Sequence, residues 1–391
     1  MKPGLFSRFI IEQRLFWSIF LGLGFFVLLG IFCAHYMETE GHYITGMNNQ
    51  IIWGLPHIFA VFMIIISSGV LNIASLSSVF DKEKYKPLAP LSGLIAISYL
   101  IGGLAVLVLD LGRPDRLIVA MTTYNFKSIF AWNIFLYSGF FLVLLIYLWT
   151  MLDYEIKKYS KSMGIFAFVW RIILTTGTGS IFGFLVAREA YATAILAPLF
   201  IVMSLLYGVA IYYAYHSSIC WLNKTKISQT MLDNFKKLMI IFLFTNLYFL
   251  ILYHITNIYI SKHLDYEIFL LVSGGIYTLL FWVGQFLIGI VLPLILLIFN
   301  KNNSPLSLLI TSKIILLGGL FAVAVIIIGG QAYPLNIFPD HQIIESAFYD
   351  NVIHSYVPSI YELGLGIGGL TLATLIILIG IANFKFIPKD I

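Results

Sequence analysis

The chain has 391 residues, of which 60% are hydrophobic and only 10% are charged, and its mean hydropathy is +0.95. This composition excludes a water-soluble globular domain, and apolar runs of about 20 residues, the length that crosses a bilayer core, recur along the chain. The runs are apolar on every face rather than alternating, which excludes a transmembrane β-barrel, so we expect an all-α polytopic integral membrane protein.

The apolar runs predict about ten membrane spans in one transmembrane domain that covers residues 1–391. We expect spans two to five and six to nine to form two four-helix bundles, with the first and last helices flanking them. No cleavage site follows the first run, which we therefore interpret as a retained helix and not as a signal peptide. The predicted spans are approximately 15–35, 52–80, 89–109, 128–151, 164–187, 194–220, 238–259, 268–299, 307–330 and 360–382.

The basic residues are distributed unevenly between the two sides of this predicted topology. If the N-terminus is cytoplasmic, 18 of the 23 Lys and Arg residues fall on the cytoplasmic side. This asymmetry predicts that both termini are cytoplasmic in a bacterial inner membrane, and it explains the net charge of +5 without a nucleic-acid partner. The five residues on the outer, periplasmic side are Arg113, Arg116, Lys127, Arg188 and Lys262.

Residues 110–116, Asp-Leu-Gly-Arg-Pro-Asp-Arg, place four charges between two apolar runs. Charges at the edge of a bilayer core are costly to desolvate, so such a cluster usually has partners or a ligand. Gly112 permits a tight turn, and Pro114 disfavours helix at Arg113. From the residues alone, a solvated turn in which Asp and Arg satisfy each other explains the cluster equally well.

The sequence Leu-Asp-Leu-Gly-Arg-Pro-Asp-Arg over residues 109–116 closely resembles the signature of the NrfD/PsrC family, the membrane subunits of polysulfide-reductase-like complexes. In that family an Asn, a Ser and a Trp follow, and Asn125, Ser128 and Trp132 match them. The resemblance covers nearly the whole chain. The closing pattern over residues 328–335 is similar to the longer, ten-helix members, above all the DsrP-like subunit of sulfur-metabolism complexes. An Arg that many of those relatives carry before this pattern is absent here.

His57 lies inside a predicted span, a turn or two from its outer end. A lone intramembrane histidine is most often a hydrogen-bonded structural residue, but several other spans bring polar groups to the same level. Such a group suits a quinone headgroup, whose carbonyls need donors, whose ring needs aromatic or apolar walls and whose reduction needs two protons. The residues expected to hold the quinone are Trp53, His57, Asp110, Arg113, Arg116, Ser128, Trp132, Arg188 and Glu189.

Within this group, His57 and Asp110 are the residue types that bond a quinone carbonyl or relay a proton. We expect Arg113 and Arg116 to hold Asp110 and to line the mouth of the site. The resemblance implies the same arrangement, because the family's quinone site lies near the periplasmic face inside a helix bundle. A histidine on the bundle's first helix and the acidic residue of the signature contribute to it, and His57 and Asp110 occupy those positions.

We expect a quinone, menaquinone or ubiquinone, to be the only redox species that this chain binds. A haem between helices needs facing histidines, whereas His57 and His254 lie toward the outer face and His216 toward the inner one. The two cysteines, Cys33 and Cys220, cannot supply the four thiolates that an iron–sulfur cluster usually takes. The sequence therefore predicts neither haem nor an iron–sulfur cluster nor another metal site.

The residues and the resemblance together predict a quinone-interacting membrane anchor of a multisubunit respiratory oxidoreductase in sulfur-compound metabolism. Such an anchor would dock a periplasmic ferredoxin-like iron–sulfur subunit, with cytochrome c or molybdopterin subunits beyond it in related complexes. The long outer segment 331–359 is a candidate docking surface. The alternative is a secondary transporter, although transporters place their charged sites near the bilayer midplane. A purely structural subunit would leave the clustered His, Asp and Arg unexplained.

Overall fold

Ten long helices dominate the computed structural model, which describes residues 6–7, 12–300, 304–335, 352–384 and 386–388. Within these residues, ten helices are long and apolar enough to cross a membrane, which confirms the expected fold class. They are α1 Gln13–Glu40, α2 Leu55–Ser78, α3 Glu83–Leu109, α4 Ile129–Leu152, α5 Lys157–Gly183, α6 Leu196–Leu222, α7 Gln229–Tyr259, α8 Ile276–Phe299, α9 Pro305–Ala332 and α10 Ile360–Asn383.

Short elements connect these helices and join the chain ends. The connecting pieces are the 3₁₀ helices His42–Ile44 and Pro114–Arg116, the α-helices Leu117–Thr122 and Ser261–Ile268, and the π-helical turn Phe269–Ser273. Two residues near each end of the chain, β1 Phe6–Ser7 and β2 Ile387–Pro388, pair as antiparallel strands. Apart from this pair, the described structure is all-α.

The eighth span begins later than the sequence predicted. The predicted run 268–299 is interrupted at Gly274 and Gly275, and Gly275 has a φ of +58° that interrupts the helix. The chain before this point belongs to the connecting helices, and α8 begins at Ile276. Much of α8, from Leu280 to Val291, is then π-helical.

The ten helices form two four-helix groups and a flanking pair. Helices α2, α3, α4 and α5 pack around one another as the first bundle, and α6, α7, α8 and α9 form the second. Helix α2 also packs on α6 and α9 and so joins the bundles. Helices α1 and α10 pack on each other, and α10 lies against α2 and α3. This arrangement is the one expected from the sequence.

Glycines permit the closest helix contacts. A Cβ atom on Gly69 would overlap the backbone carbonyl of Ser204, so α2 and α6 meet through backbone, with Gly208 on the facing side. In the same way Gly30 on α1 faces Gly368 on α10, where an added Cβ would lie 2.7 Å from a backbone Cα. Small residues are the usual means of bringing membrane helices together, because dispersion contacts then replace a hydrophobic driving force.

The helices alternate in direction, so one end of the molecule, here named the site end, is where α2 begins and α3 ends. The five basic residues expected on the outer side all lie in connections at this end. Arg171 and Lys313, which belong to the 18 basic residues expected on the cytoplasmic side, lie well inside α5 and α9 and not near their ends. Most of the candidate docking segment, residues 336–351, lies outside the described residues.

Candidate functional site

His57 and Asp110 meet at the site end of the first bundle. His57 follows Pro56 in the first turn of α2. Asp110 follows the last residue of α3, and its backbone N–H donates to the carbonyl of Val106. Nδ1 of His57 lies 2.8 Å from Oδ2 of Asp110, and the Asp110 side chain is 1% exposed. The ring nitrogen is not aligned with the oxygen, so this is a close polar contact rather than a well-directed hydrogen bond.

His42 approaches the same carboxylate from another side. Its Nε2 lies 3.8 Å from Oδ1 of Asp110 and 3.2 Å from the Asp110 backbone oxygen. Its ring also packs on Gly112, where an added Cβ would lie 3.0 Å from Cε1 of His42. Gly112 has a φ of +67°, so both its backbone conformation and this close approach favour glycine.

His42 was not among the site residues predicted from the sequence. A signal was present, because His42 follows the first span and therefore lies at the same outer level as Asp110. Connections lack the periodicity that identifies a helix face, however, so nothing in the sequence showed that this loop folds over the end of α3.

Asp110 and His42 stabilise each other's charged forms. Burial raises the pKa of Asp110, but the contacts with His42 and His57 outweigh it and hold the pKa below its usual value. The Asp110 carboxylate in turn raises the pKa of His42 despite partial burial. Asp110 is therefore a carboxylate at neutral pH, and His42 is biased toward its protonated form.

A cavity of about 420 Å³ adjoins His57 within the first bundle. Residues of α2, α3, α4 and α5 line it, together with the segment after α3. Its walls are mostly apolar, and Trp53 contributes an aromatic surface that meets Phe182 edge-on at a centroid distance of 5.7 Å. The volume lies within the range of about 300–1,000 Å³ that is typical of small-molecule sites.

Polar atoms of α4 add to this cavity. Tyr137 lines it and shares a hydrogen bond of 3.2 Å with Thr178. Asn133 also lines it and donates to the backbone oxygen of Gly177 at 3.0 Å, which leaves its Oδ1 buried with no hydrogen-bond partner among the described residues. Neither residue was predicted from the sequence, because a single polar residue in an apolar span does not reveal which way it faces.

Asp110 belongs to a second cavity on its other side. This cavity, of about 440 Å³, is lined by His42, Asp110 and polar residues of the loop before α2, among them Asn48 and Asn49. Tyr43, which also lines it, is 79% exposed, so this cavity lies at the protein surface. The carboxylate thus stands between an apolar cavity within the bundle and a polar cavity at the site end.

Four of the predicted cofactor-binding residues line the apolar cavity or its edge. Trp53, His57, Arg113 and Arg116 do so, the two arginines from the exposed segment after α3. Arg113 differs from its expected role, because its Nε lies 3.2 Å from Asp115 and it therefore pairs within its own turn. The partners that hold the Asp110 carboxylate are the two histidines.

Four other predicted residues line neither cavity: Ser128, Trp132, Arg188 and Glu189. Trp132 donates its indole N–H to the backbone oxygen of Phe126 at 2.9 Å and is 44% exposed. Ser128 precedes the first residue of α4 and makes no side-chain capping bond. Glu189 is partly buried beyond the end of α5, and this burial raises its pKa.

Arg188 fastens the loop that leads into α2. Its guanidinium donates to the backbone oxygen of Gln50 at 2.8 Å and to that of Gln331 at 3.1 Å. The side chain of Gln331 accepts from the backbone of Ile52 and Trp53, both at 3.0 Å. Arg188 therefore supports the site by holding Trp53 in place, and it does not face the cavity itself.

Glu362 fastens the other half of the same loop. It is fully buried and accepts hydrogen bonds from the backbone N–H groups of Gly46 and Ser359 and from the hydroxyl of Tyr356, at 2.8, 2.7 and 2.5 Å. Tyr356 also accepts from the N–H of Leu55 at 2.6 Å. The loop between His42 and His57 is thus held by buried charged and polar groups of α9, α10 and their neighbours.

Comparison with known proteins links this arrangement to membrane subunits of redox complexes. A family model described as "Polysulphide reductase, NrfD" matches residues 43–334. The chain is 27% identical to the Hdr-like menaquinol oxidoreductase integral membrane subunit of Archaeoglobus fulgidus, over 88% of each chain. It is 22% identical to a selenate reductase subunit of Mesobacillus selenatarsenatis, over 96% of this chain and 94% of that protein. It is also 23% identical to a putative dimethyl sulfoxide reductase membrane subunit of Halobacterium salinarum, over 48% of each.

Proposed function

Because this chain belongs to the NrfD polysulphide reductase family, we propose that it is the quinone-binding membrane subunit of a multisubunit respiratory oxidoreductase. The observation that carries the proposal is the cavity of about 420 Å³ that is lined by His57, with Asp110 behind it. One relative is named as a subunit of a menaquinol oxidoreductase, which supports a quinol as the ligand class. Menaquinone and ubiquinone both satisfy this chemistry.

The cavity residues fit a quinone. Trp53, Phe130 and Phe182 supply aromatic walls for the ring, and aliphatic residues of α2 and α4 supply an apolar path for the tail. His57 supplies a polar group for one ring oxygen, and Asn133 and Tyr137 are further polar residues in the cavity lining. A pocket with apolar walls and a few placed polar groups is the usual form of a site for such a ligand.

A bound quinol supplies two electrons and two protons. Nδ1 of His57 is engaged with Asp110, so Nε2 is the ring nitrogen left to bond a ligand oxygen and to take its proton. The Asp110 carboxylate stabilises the imidazolium that forms and holds the ring in position. The same groups donate a proton when a quinone is reduced, so the site serves either direction of electron flow.

We propose that the site end faces the periplasm of a bacterial inner membrane, with both termini cytoplasmic. The small number of basic residues in connections at this end supports this orientation. The electron partner would be a periplasmic ferredoxin-like iron–sulfur subunit in a complex of sulfur-compound metabolism. The relatives' names as subunits of larger enzymes support the existence of such a partner.

The test fills the cavity and measures quinol binding. Val61 on α2 lines the cavity, and we expect Val61→Trp to weaken binding of a fluorescent quinol analogue to the purified complex by about tenfold or more. Val169→Trp is the matched control, because Val169 lies on α5 and is 49% exposed, and it should bind the analogue as the wild type does. Analogue binding that Val61→Trp leaves unchanged, or no binding to the wild-type complex, would contradict the proposed function.

A further inference from the structure

Asp110 is a buried carboxylate with one histidine on each oxygen. His57 approaches Oδ2 from the apolar cavity within the bundle, and His42 approaches Oδ1 from the polar cavity at the site end. The described salt bridges of Asp110 are these two contacts. A His–Asp–His chain therefore runs from one cavity to the other.

We propose that His42 is the outlet of a proton relay that runs from the apolar cavity through His57 and Asp110 to the polar cavity at the site end. This inference rests on the proposed function, because the protons are those of the quinol. It adds a positioning and relay residue, His42, that lies in the loop between the first two long helices and does not line the cavity within the bundle.

The transfer balances at each residue. A proton bound at Nε2 of His57 allows Nδ1 to release its own proton to Oδ2 of Asp110. Rotation of the carboxylic acid turns its proton toward His42, and neutral His42 with its own proton on Nδ1 accepts it at Nε2. The imidazolium then releases the Nδ1 proton to solvent, and exchange with solvent restores the Nδ1-protonated form. The 3.8 Å between Nε2 and Oδ1 is longer than a hydrogen bond, and a small rotation of the ring or one water molecule closes it. The two electrons leave separately, to the partner subunit.

The surroundings direct protons through His42. Arg113, the charged residue of the same turn, pairs with Asp115 and not with Asp110. Among the described residues, Tyr356 and Glu362 are the other titratable groups that interact electrostatically with His42 or Asp110, and they are hydrogen-bonded to each other at 2.5 Å. Burial and the Glu362 carboxylate raise the pKa of Tyr356 well above its usual value, so Tyr356 keeps its proton. His42, whose side chain is 31% exposed, is thus the group that connects Asp110 with solvent.

A structural role is the competing interpretation, because Nε2 of His42 also lies 3.2 Å from the backbone oxygen of Asp110. His42→Gln separates the two roles, since the glutamine amide can donate to that oxygen but cannot carry a proton. His42→Ala removes both and leaves space for imidazole. His35→Gln is the matched control. His35 is exposed and lies near the end of α1 that precedes His42, and the described contacts of Asp110 do not include it.

The experiment uses the purified complex and measures quinol-dependent turnover, its solvent deuterium isotope effect and the binding of a fluorescent quinol analogue. We expect turnover of His42→Gln to fall by at least about tenfold with a larger isotope effect, while analogue binding stays within about twofold. Imidazole should restore part of the turnover of His42→Ala, and His35→Gln should match the wild type.

Two results would contradict the role of His42 as the proton outlet without rejecting the proposed function. One is normal turnover in His42→Gln. The other is a parallel loss of analogue binding and turnover in both variants, without rescue by imidazole, which would assign His42 to holding the loop. Absence of analogue binding in the wild type would instead reject the proposed function itself, and the outlet with it.

Discussion

The two bundles each contain a buried histidine–carboxylate pair at the site end, and the pairs differ in what surrounds them. In the first bundle, neither carboxylate oxygen of Asp110 accepts an aligned hydrogen bond within the described residues. In the second, Oε2 of Glu267 lies 2.7 Å from Nδ1 of His254, and Oε1 accepts from Nδ2 of Asn257 at 2.9 Å. Each oxygen of Glu267 therefore has a hydrogen-bonding partner, whereas neither oxygen of Asp110 has an aligned one within the described residues.

The two pairs also differ in the size of the cavities beside them. Asp110 and His57 adjoin cavities of about 440 and 420 Å³. His254 adjoins a void of about 10 Å³, enough for about one water molecule, and packs edge-on against Phe281 at a centroid distance of 4.8 Å. Residue types alone therefore do not define a reactive site. A carboxylate without aligned hydrogen bonds beside a cavity can exchange protons, whereas the two hydrogen bonds of Glu267 tie a short helix to a long one.

The comparison assumes that both pairs lie at the same face of the membrane. Cysteine labelling tests this assumption, because a thiol at each position is either accessible or inaccessible from outside the cell. Asn125→Cys, in the connection after α3, and Lys262→Cys, in the connection after α7, place a thiol at exposed positions of the site end. Both should react with a membrane-impermeant maleimide in intact cells, whereas Lys158→Cys should react only after permeabilisation. The native Cys33 and Cys220 are buried, so the wild type is the blank. Labelling of Asn125→Cys and Lys262→Cys from different sides would break the comparison.

The charge of Asp110 should matter far more for turnover than the charge of Glu267. We expect Asp110→Asn to lower quinol-dependent turnover by about 10²-fold or more, because the side chain keeps its shape but no longer takes a proton. Glu267→Gln keeps an acceptor for Asn257 and should turn over within about twofold of the wild type. Turnover and complex abundance are measured together. Normal turnover in Asp110→Asn at normal abundance would remove Asp110 from the chemistry.

Removing the whole carboxylate from the second pair should instead affect stability. Glu267→Ala leaves buried donors of His254 and Asn257 without their acceptor, which costs about 3–5 kcal/mol when a buried pair is broken. We expect a lower thermal unfolding temperature and less assembled complex, with normal turnover per assembled molecule. A stable Glu267→Ala complex with strongly reduced turnover would show that the second pair also takes part in the chemistry.

The sequence predicted the fold well because the bilayer constrains it. Every span must satisfy its backbone hydrogen bonds internally, so the number of helices follows from the apolar runs. The interruption at Gly275 escaped prediction because both sides of it are apolar. The π-helical stretch Leu280–Val291 also cannot be found from periodicity, since its i→i+5 bonding changes which residues share a face.

The sequence predicted at which level of the membrane the site residues lie, but not which way each side chain points. His57 and Asp110 were identified from polarity at one level and from the family signature, and the structure brings them together. Arg188 and Trp132 lie at that level too, but one holds a loop and the other points away from the cavity. The rotation of a helix about its axis and the path of a connection decide these cases, and both depend on tertiary packing.

The glycine contact between α1 and α10 affects the distance between His42 and Asp110. Helix α1 is exposed over most of its surface, and its position depends on α10, where Gly30 meets Gly368. A slip of one residue along α1 would move its end by about 1.5 Å and rotate it by about 100°. His42 follows that end by two residues, so such a slip would carry its ring out of reach of Asp110. The helix that adds least to the core thus serves as the spacer that sets how far a surface histidine stands from a buried acid.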